Sequence, residues 1–264
     1  FLAGAADTLV INGAIIDPAA KAAKRMTAFL DDYRPHPRAG FHLETTSDIP
    51  IGAGLASSAS AFAAVVMALN DYFGWDLSPR HLSILARMGS GSASRSIFHG
   101  FVEWHAGARD DGMDSFAEPL PDRWPEFRIG WLPLSDAPKK TGSRDGMNRT
   151  RDESILYQSW PVKVAADLIG IRQAIQARRF AELGALAESN AMSMHATMLG
   201  CQPPLLYWLP SSVAALHRVW ELREGGLPVY VTMDAGPNVK LLFLQDAEDT
   251  LRFHFPDLNV VAPF

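Results

Sequence analysis

Three loops built from glycine, alanine and serine carry the groups that could do chemistry in this chain. The first reads Pro50-Ile51-Gly52-Ala53-Gly54-Leu55-Ala56-Ser57-Ser58-Ala59. Gly52 and Gly54 have no Cβ, so a ligand can come close to their backbone. The small side chains of Ala53, Ala56, Ser57 and Ser58 keep that approach open. A helix starting at about Ala56 would aim unpaired N–H groups and the positive end of its dipole at the loop. These are the requirements of a phosphate site, and Ser57 and Ser58 add hydroxyls for phosphate or a magnesium ion. The segment lacks the Gly-Lys-Ser/Thr ending of the usual P-loop, and a capped, tightly packed alanine-rich helix would read the same way.

The second loop, Gly89-Ser90-Gly91-Ser92-Ala93-Ser94-Arg95-Ser96, offers the hydroxyls of Ser90 and Ser92 and the guanidinium of Arg95. The third, Met233-Asp234-Ala235-Gly236-Pro237-Asn238, offers the Asp234 carboxylate. Each has a structural alternative: helix termination for the serines, a surface ion pair for Arg95, a helix cap or turn for Asp234. Three small-residue loops that each bear one kind of functional group are hard to explain by packing alone.

The elements around these loops follow from periodicity and turn chemistry. Residues 8–11 and 14–16 flank Asn12-Gly13, the strongest short hairpin signal. Residues 19–33 place Ala22, Met26, Phe29 and Leu30 at helical spacing. Residues 41–46 alternate as a strand leading into the first loop. A helix over 57–73 follows, ended by Gly74, and Ser78-Pro79 caps and starts another that runs to about Met88. Residues 100–135 read as strands and turns, with strands at 100–105 and 127–134. Residues 162–177 and 180–193 read as helices, and 205–222 as a helix interrupted near Pro210. Residues 228–233 and 239–244 read as strands joined by the Asp234 loop. The polar stretch 142–151 is the best candidate for a mobile loop or boundary. Separate groups of strands and helices indicate an α+β protein, not a regular βαβ alternation.

Bulk properties narrow the function classes. The chain has 264 residues, 48% of them hydrophobic and 20% charged, an ordinary globular composition. A net charge of -5 gives no general attraction to nucleic acid or to an anionic membrane, so neither is an expected partner. No apolar run approaches the roughly 20 residues that span a bilayer. The single cysteine, Cys201, rules out an intrachain disulfide and reads as a small buried residue; it fits a cytoplasmic location. The histidines show no zinc-ligand spacing. The chain starts at Phe1, with Phe1-Leu2-Ala3-Gly4-Ala5-Ala6 too short and uncharged for a signal peptide.

The three loops together resemble one family. Ile49 to Ala59 is similar to the phosphate loop of the galactokinase, homoserine kinase, mevalonate kinase and phosphomevalonate kinase superfamily. Ala56 stands where the small-molecule kinases have glycine, and the Gly-Leu-Ala-Ser-Ser version is typical of diphosphomevalonate decarboxylases. Residues 89–96 resemble the decarboxylase Gly-Ser-Gly-Ser-Ala-Cys-Arg-Ser motif, with Ser94 in place of cysteine. Residues 233–238 resemble its Asp-Ala-Gly-Pro-Asn motif. Weaker matches are Gly112-Met113-Asp114-Ser115, Gly146-Met147 and Met194-His195-Ala196-Thr197. The family's first strand carries an Asn-Ile-Ala-Leu-Ile-Lys-Tyr-Trp-Gly-Lys-type motif that has no counterpart here. The expectation is therefore either that residues are missing upstream, with the N-terminal strand absent, or that the protein lacks the active-site lysine which that motif carries in the family.

The resemblance implies a two-lobed fold: a ribosomal-protein-S5-like lobe over 1–135 that binds ATP, and a ferredoxin-like lobe over 136–264 that binds substrate. It implies ATP as co-substrate with Mg2+, and conversion of mevalonate 5-diphosphate to isopentenyl diphosphate. Asp234 would be the base or orienting carboxylate. Arg95 would clamp the substrate carboxylate or diphosphate through its fork. Ser90 and Ser92 would donate to the diphosphate, and Arg144 would reach it from the polar loop. Gly52, Ala53, Gly54, Leu55, Ala56, Ser57 and Ser58 would hold the ATP phosphates, with Ser58 on Mg2+. His195 is expected to be structural or at the pocket edge. Relatives are commonly homodimers. The alternatives are a phosphomevalonate decarboxylase, a mevalonate 3-kinase, or a non-catalytic binding member of the superfamily.

Overall fold

The computed structural model describes residues 2–3, 6–47, 57–137 and 139–264. These fall into two compact units: the described residues up to Phe98 with Val102–Pro119, and His99–Phe101 with Leu120–Phe264. The first unit contains, in order, β1 (Leu2–Ala3), β2 (Thr8–Ile11), β3 (Ala14–Ile15), α1 (Lys21–Asp31), β4 (Ala39–Gly40), β5 (His42–Thr45), α2 (Ser57–Phe73), α3 (Pro79–Gly89), a 3-10 helix (Gly91–Ile97), β6 (Val102–Trp104) and β7 (Ala117–Pro119).

Asn12 and Gly13 form the hairpin turn between β2 and β3, with φ of 49° and 80°. A two-residue turn needs both residues left-handed, which Asn and Gly tolerate best. The Asn12 amide also donates to the Ser47 carbonyl (3.1 Å) and accepts from the Ser47 N–H (2.8 Å), tying the turn to the end of β5. β2 pairs in parallel with β5, from Thr8↔His42 to Ile11↔Thr45, and α1 lies in the crossover between them. The apolar stripe of α1 (Met26, Phe29, Leu30) packs on Phe62, Val65, Val66 and Leu69 of α2, with Leu9 and Leu43 from the sheet against the same core. The Ser78 hydroxyl caps α3 by accepting from the His81 N–H, and Pro79 occupies its first turn.

The second unit runs β8 (Phe127–Leu132), α4 (Ser143–Glu153), a 3-10 helix (Ile155–Ser159), α5 (Trp160–Gln176), α6 (Phe180–Leu199), α7 (Pro210–Glu224), β9 (Tyr230–Thr232), β10 (Val239–Leu244), α8 (Glu248–His254) and β11 (Asn259–Val261). Its described strands form one antiparallel sheet in the order β11-β8-β10-β9. Alternation along β10 sends Val239, Leu241 and Phe243 to a core shared with Leu216 and Val219 of α7 and Leu251 of α8. Leu242 faces the other way, into a core with Ile175 of α5 and Phe180 and Leu183 of α6. Helices therefore cover both faces of the sheet, which explains why β10 reads as an almost continuous apolar run.

Two expectations need correcting. Residues 142–151 are not a loop: most of them form α4. Its buried positions are Gly146 and Thr150, one turn apart. The Tyr207 hydroxyl lies 2.3 Å from where a Cβ on Gly146 would stand. A helix that packs through glycine and threonine shows no apolar periodicity. Pro210 likewise does not interrupt a helix; it starts α7, at the position where a missing N–H is harmless.

Candidate active site

The loop after β9 is fixed from several directions. His195 of α6 is buried, 3% exposed, and hydrogen-bonds to the Asp234 backbone. The Lys139 ammonium donates to the Ala235 carbonyl (2.8 Å) and to the Ser143 hydroxyl at the start of α4 (2.8 Å). The buried Ser212 hydroxyl of α7 donates to the Pro237 carbonyl (2.6 Å) and accepts from the Leu209 N–H (3.1 Å). The Asn238 side chain accepts from the Leu134 and Ser135 N–H groups (2.8 and 3.0 Å) and donates to the Ser135 carbonyl (3.1 Å). Within the loop, the Gly236 N–H donates to the Asp234 carbonyl (2.8 Å). The backbone is thus held while the Asp234 carboxylate stays about half exposed, 53%.

That carboxylate is ion-paired with Lys240 of β10. Lys139 is the second cation in its field. Burial pushes the Lys139 ammonium below the usual lysine range, and the Asp234 charge pulls it back. The site therefore combines one ionisable carboxylate with two ammonium groups, a set suited to orienting a hydroxyl while neutralising phosphate oxygens. Burial pushes the His195 imidazole down to about 4, so it stays neutral near pH 7 and acts as a support for the loop. A cavity of about 470 Å³ opens beside Pro237, and its lining includes the cations Lys139, Lys140 and Arg149 and the apolar Leu205, Leu206 and Leu209.

In the first unit, Ser90 ends α3 and begins the 3-10 helix of residues 91–97, so the expected loop 89–96 is wound into regular turns. Three hydroxyls gather there: Ser58 lies 3.4 Å from Ser90, and Ser90 lies 3.4 Å from Ser92. Arg95 is exposed, its guanidinium 5.8 Å from the Trp104 ring centre. The glycines have a packing role. A Cβ on Gly89 would stand 2.2 Å from the Phe62 ring, and one on Gly91 would stand 2.6 Å from Trp104. Ser94 is fully buried and donates to the Gly91 carbonyl (2.7 Å).

Gly52, Ala53, Gly54, Leu55 and Ala56 lie outside the described residues. Ser57 is the first residue of α2, and Ser58 is half-buried. Arg144, expected on a mobile segment, is instead an exposed residue in the first turn of α4, next to the Ser143 that holds Lys139. Cys201 is buried.

Residues 3–117 match the diphosphomevalonate decarboxylase-like N-terminal domain, and residues 132–255 match the mevalonate 5-diphosphate decarboxylase C-terminal domain. The mevalonate diphosphate decarboxylase of Enterococcus faecalis is 38% identical, with a TM-score of 0.87 over 97% of this chain and 79% of its own. A structure described as MDDEF in complex with MVAPP, AMPPCP and magnesium is 39% identical, with a TM-score of 0.89 over 97% of this chain and 80% of its own. The diphosphomevalonate decarboxylase of Aspergillus fumigatus is 35% identical over 260 residues, 91% of this chain and 64% of its own length.

The chain belongs to the diphosphomevalonate decarboxylase family. It spans 64% of the Aspergillus relative and 54% of the one from Eremothecium gossypii. The α+β architecture expected from the sequence is that of the family. Sequence reasoning missed Lys139, Lys240, Ser212 and Asn238 as parts of the site. Lys240 left a signal, being the one charge in the apolar strand Val239–Leu244. Lys139 left none, because its place depends on how residues 133–142 return to the Asp234 loop.

Proposed function

We propose that this chain carries out ATP-dependent decarboxylation of mevalonate 5-diphosphate to isopentenyl diphosphate, ADP, phosphate and carbon dioxide. The observation that carries the reading is the Asp234 carboxylate, exposed on a braced loop beside Lys139 and Lys240 in a chain of this family. Asp234 orients the tertiary 3-hydroxyl and takes up its proton as the oxygen attacks the γ-phosphorus of ATP and ADP leaves. In the second step the bond between C3 and the now phosphorylated oxygen breaks, and phosphate leaves with its electron pair. The bond to the carboxylate carbon then supplies the pair that closes the carbon–carbon double bond, and carbon dioxide departs.

We assign the substrate carboxylate or diphosphate to Arg95, and hydrogen bonds to the diphosphate to Ser90, Ser92 and Arg144. The ATP phosphates go to Gly52, Ala53, Gly54, Leu55, Ala56, Ser57 and Ser58. Among the described residues no cluster of three or more metal-binding side chains is present. We assign Mg2+ to the ATP phosphates, with the Ser58 hydroxyl beside it. We further assign residues 1–135 to the ATP-binding lobe, which also supplies Ser90, Ser92 and Arg95 to the substrate, and 136–264 to the substrate-binding lobe, with a homodimeric assembly in the cytoplasm. No described helix is long and apolar enough to cross a membrane, and the one cysteine is free.

The test is release of phosphate and carbon dioxide by the product of the complete reading frame, given mevalonate 5-diphosphate, the 5-monophosphate or mevalonate. Carbon dioxide release that requires the diphosphate supports the proposal. Equal or faster turnover of the monophosphate sinks the diphosphate assignment, phosphorylation without carbon dioxide points to a 3-kinase, and no turnover of any of the three points to a binding protein.

A further inference from the structure

The cavity beside Pro237 carries one sign of charge. Among the described residues its lining holds the cations Lys139, Lys140 and Arg149 and no carboxylate. That excess is local, because the whole chain has a net charge of -5. Arg149 is fixed by the Pro203 carbonyl (2.8 Å) and pairs with Glu153 (3.2 Å), which is not part of the lining. Much of the remaining lining is apolar, and Leu206 is 63% exposed and Leu209 39% exposed. Exposed leucines beside ammonium groups suit a ligand with both an anionic and an apolar part. Trp208, also in the lining, has a buried indole N–H with no acceptor among the described residues, and a ligand oxygen would supply one. A volume of about 470 Å³ lies within the range of small-molecule sites.

The cavity also backs on the Asp234 loop. Pro237 belongs to its lining, and Lys139 donates from it to the Ala235 carbonyl and the Ser143 hydroxyl (2.8 Å each). The Trp208 ring lies against His195, with centroids 5.1 Å apart, and His195 holds the Asp234 backbone. An ammonium group has three N–H bonds to give, and burial has already removed part of the Lys139 hydration. A multivalent anion in the cavity is therefore a strong competitor for it. From this arrangement we propose that the cavity is a regulatory site for the diphosphate ester of a short branched hydrocarbon, the chemical class of isopentenyl diphosphate. The inference rests on the function proposed above and adds control of the same site by its product. The diphosphate engages Lys139, Lys140 and Arg149, and the hydrocarbon covers Leu206 and Leu209. Bound there, the ligand draws Lys139 from the Ala235 carbonyl and loosens the loop that positions Asp234. Turnover then falls without competition for the substrate site.

The test uses the product of the complete reading frame. Isopentenyl diphosphate is titrated calorimetrically into protein saturated with mevalonate 5-diphosphate, without ATP, so that the substrate site is filled. One further ligand per chain should bind. Leu206→Glu and Lys140→Glu change exposed positions, so both variants should keep the parent melting temperature and each should weaken this binding at least tenfold. Inorganic diphosphate, which lacks the apolar part, should bind at least tenfold more weakly than isopentenyl diphosphate. In initial-rate measurements isopentenyl diphosphate should lower kcat and leave the KM for mevalonate 5-diphosphate nearly unchanged, and both variants should keep the uninhibited kcat. Purely competitive inhibition with no second binding event would put the product in the substrate site and overturn the proposal. Binding that survives both glutamates overturns this cavity as its place, and equal binding of inorganic diphosphate overturns the hydrocarbon contact. A chain that releases no carbon dioxide, yet binds isopentenyl diphosphate in a way that both glutamates weaken, loses the proposed function and its regulation but keeps the binding site.

Discussion

The Asp234 loop and the serine turn at 89–96 are both short, small-residue segments, yet different forces hold them. Side chains reaching into its backbone brace the Asp234 loop: Lys139 at Ala235, Ser212 at Pro237, and Asn238 across to the end of β8. The serine turn is held by close packing, with Gly89 under Phe62, Gly91 under Trp104, and Ser94 tucked inside. The first should fail when a polar group is removed, the second when volume is added. Asp234 and Arg95 are both exposed on these segments.

The largest effect should come from separating chemistry from bracing. Asp234→Asn keeps the shape and removes the charge. Carbon dioxide release is expected to fall by about 10²–10⁴-fold, the usual range for a positioned proton acceptor. The melting temperature should stay close to that of the parent, because the carboxylate is half exposed and its pair with Lys240 contributes little to stability. A variant that loses less than tenfold would remove Asp234 from the chemistry.

The next effect belongs to the packed turn. Gly89→Ala puts a methyl group into the Phe62 ring, and overpacking of that order costs about 3 kcal/mol. Urea unfolding of parent and variant measures it. A loss below about 1 kcal/mol would mean that Phe62 moves freely and that close packing at Gly89 does not hold the turn.

A pH titration of stability reads the brace at His195. Its folded value is about 4 and its ordinary value is 6.5. Between those limits the unfolded chain takes up a proton that the folded chain does not. Stability is therefore full above about pH 6.5 and is lost as pH falls towards 4, by up to about 3 kcal/mol. The carboxylate of Asp7 acts in a lower window. Burial raises it, but Arg34 and the Phe41 N–H outweigh burial and leave it below the ordinary 3.8, so its contribution is lost only in stronger acid. His195→Gln should flatten the slope between pH 6.5 and about 4.5 and leave the steeper acid limb. A slope that survives the substitution would assign it to another group.

How far the sequence could be read follows the same contrast. Features set by local rules were legible: the Asn12-Gly13 turn, the Ser78-Pro79 helix start and the apolar faces of α1 and α2. Features set by a distant partner were not. The polar segment 143–153 is helical because Gly146 and Thr150 fit against Tyr207 and Cys201, some 50 residues away or more. Lys139 enters the site only because Ala235 and Ser143 meet it there. Asp234 was visible by motif, whereas the residues that hold it are spread over α6, α7, β10 and the segment after β8.

Ser212→Ala is the smallest of these changes and the most direct test of polar bracing. It leaves the buried Pro237 carbonyl without its 2.6 Å donor and the Leu209 N–H without its acceptor. The expected loss is about 2 kcal/mol, since an unpaired buried carbonyl forfeits its solvation as well as its bond. Activity should fall about tenfold at saturating substrate, because a loosened loop misplaces Asp234 without changing its charge. The pairing of the two readouts matters. Gly89→Ala lowers stability by adding volume beside Phe62, whereas Ser212→Ala lowers stability and turnover together by freeing a backbone. If Ser212→Ala lowered stability alone, Lys139, His195 and Asn238 would suffice to hold Asp234, and the brace would be redundant at α7.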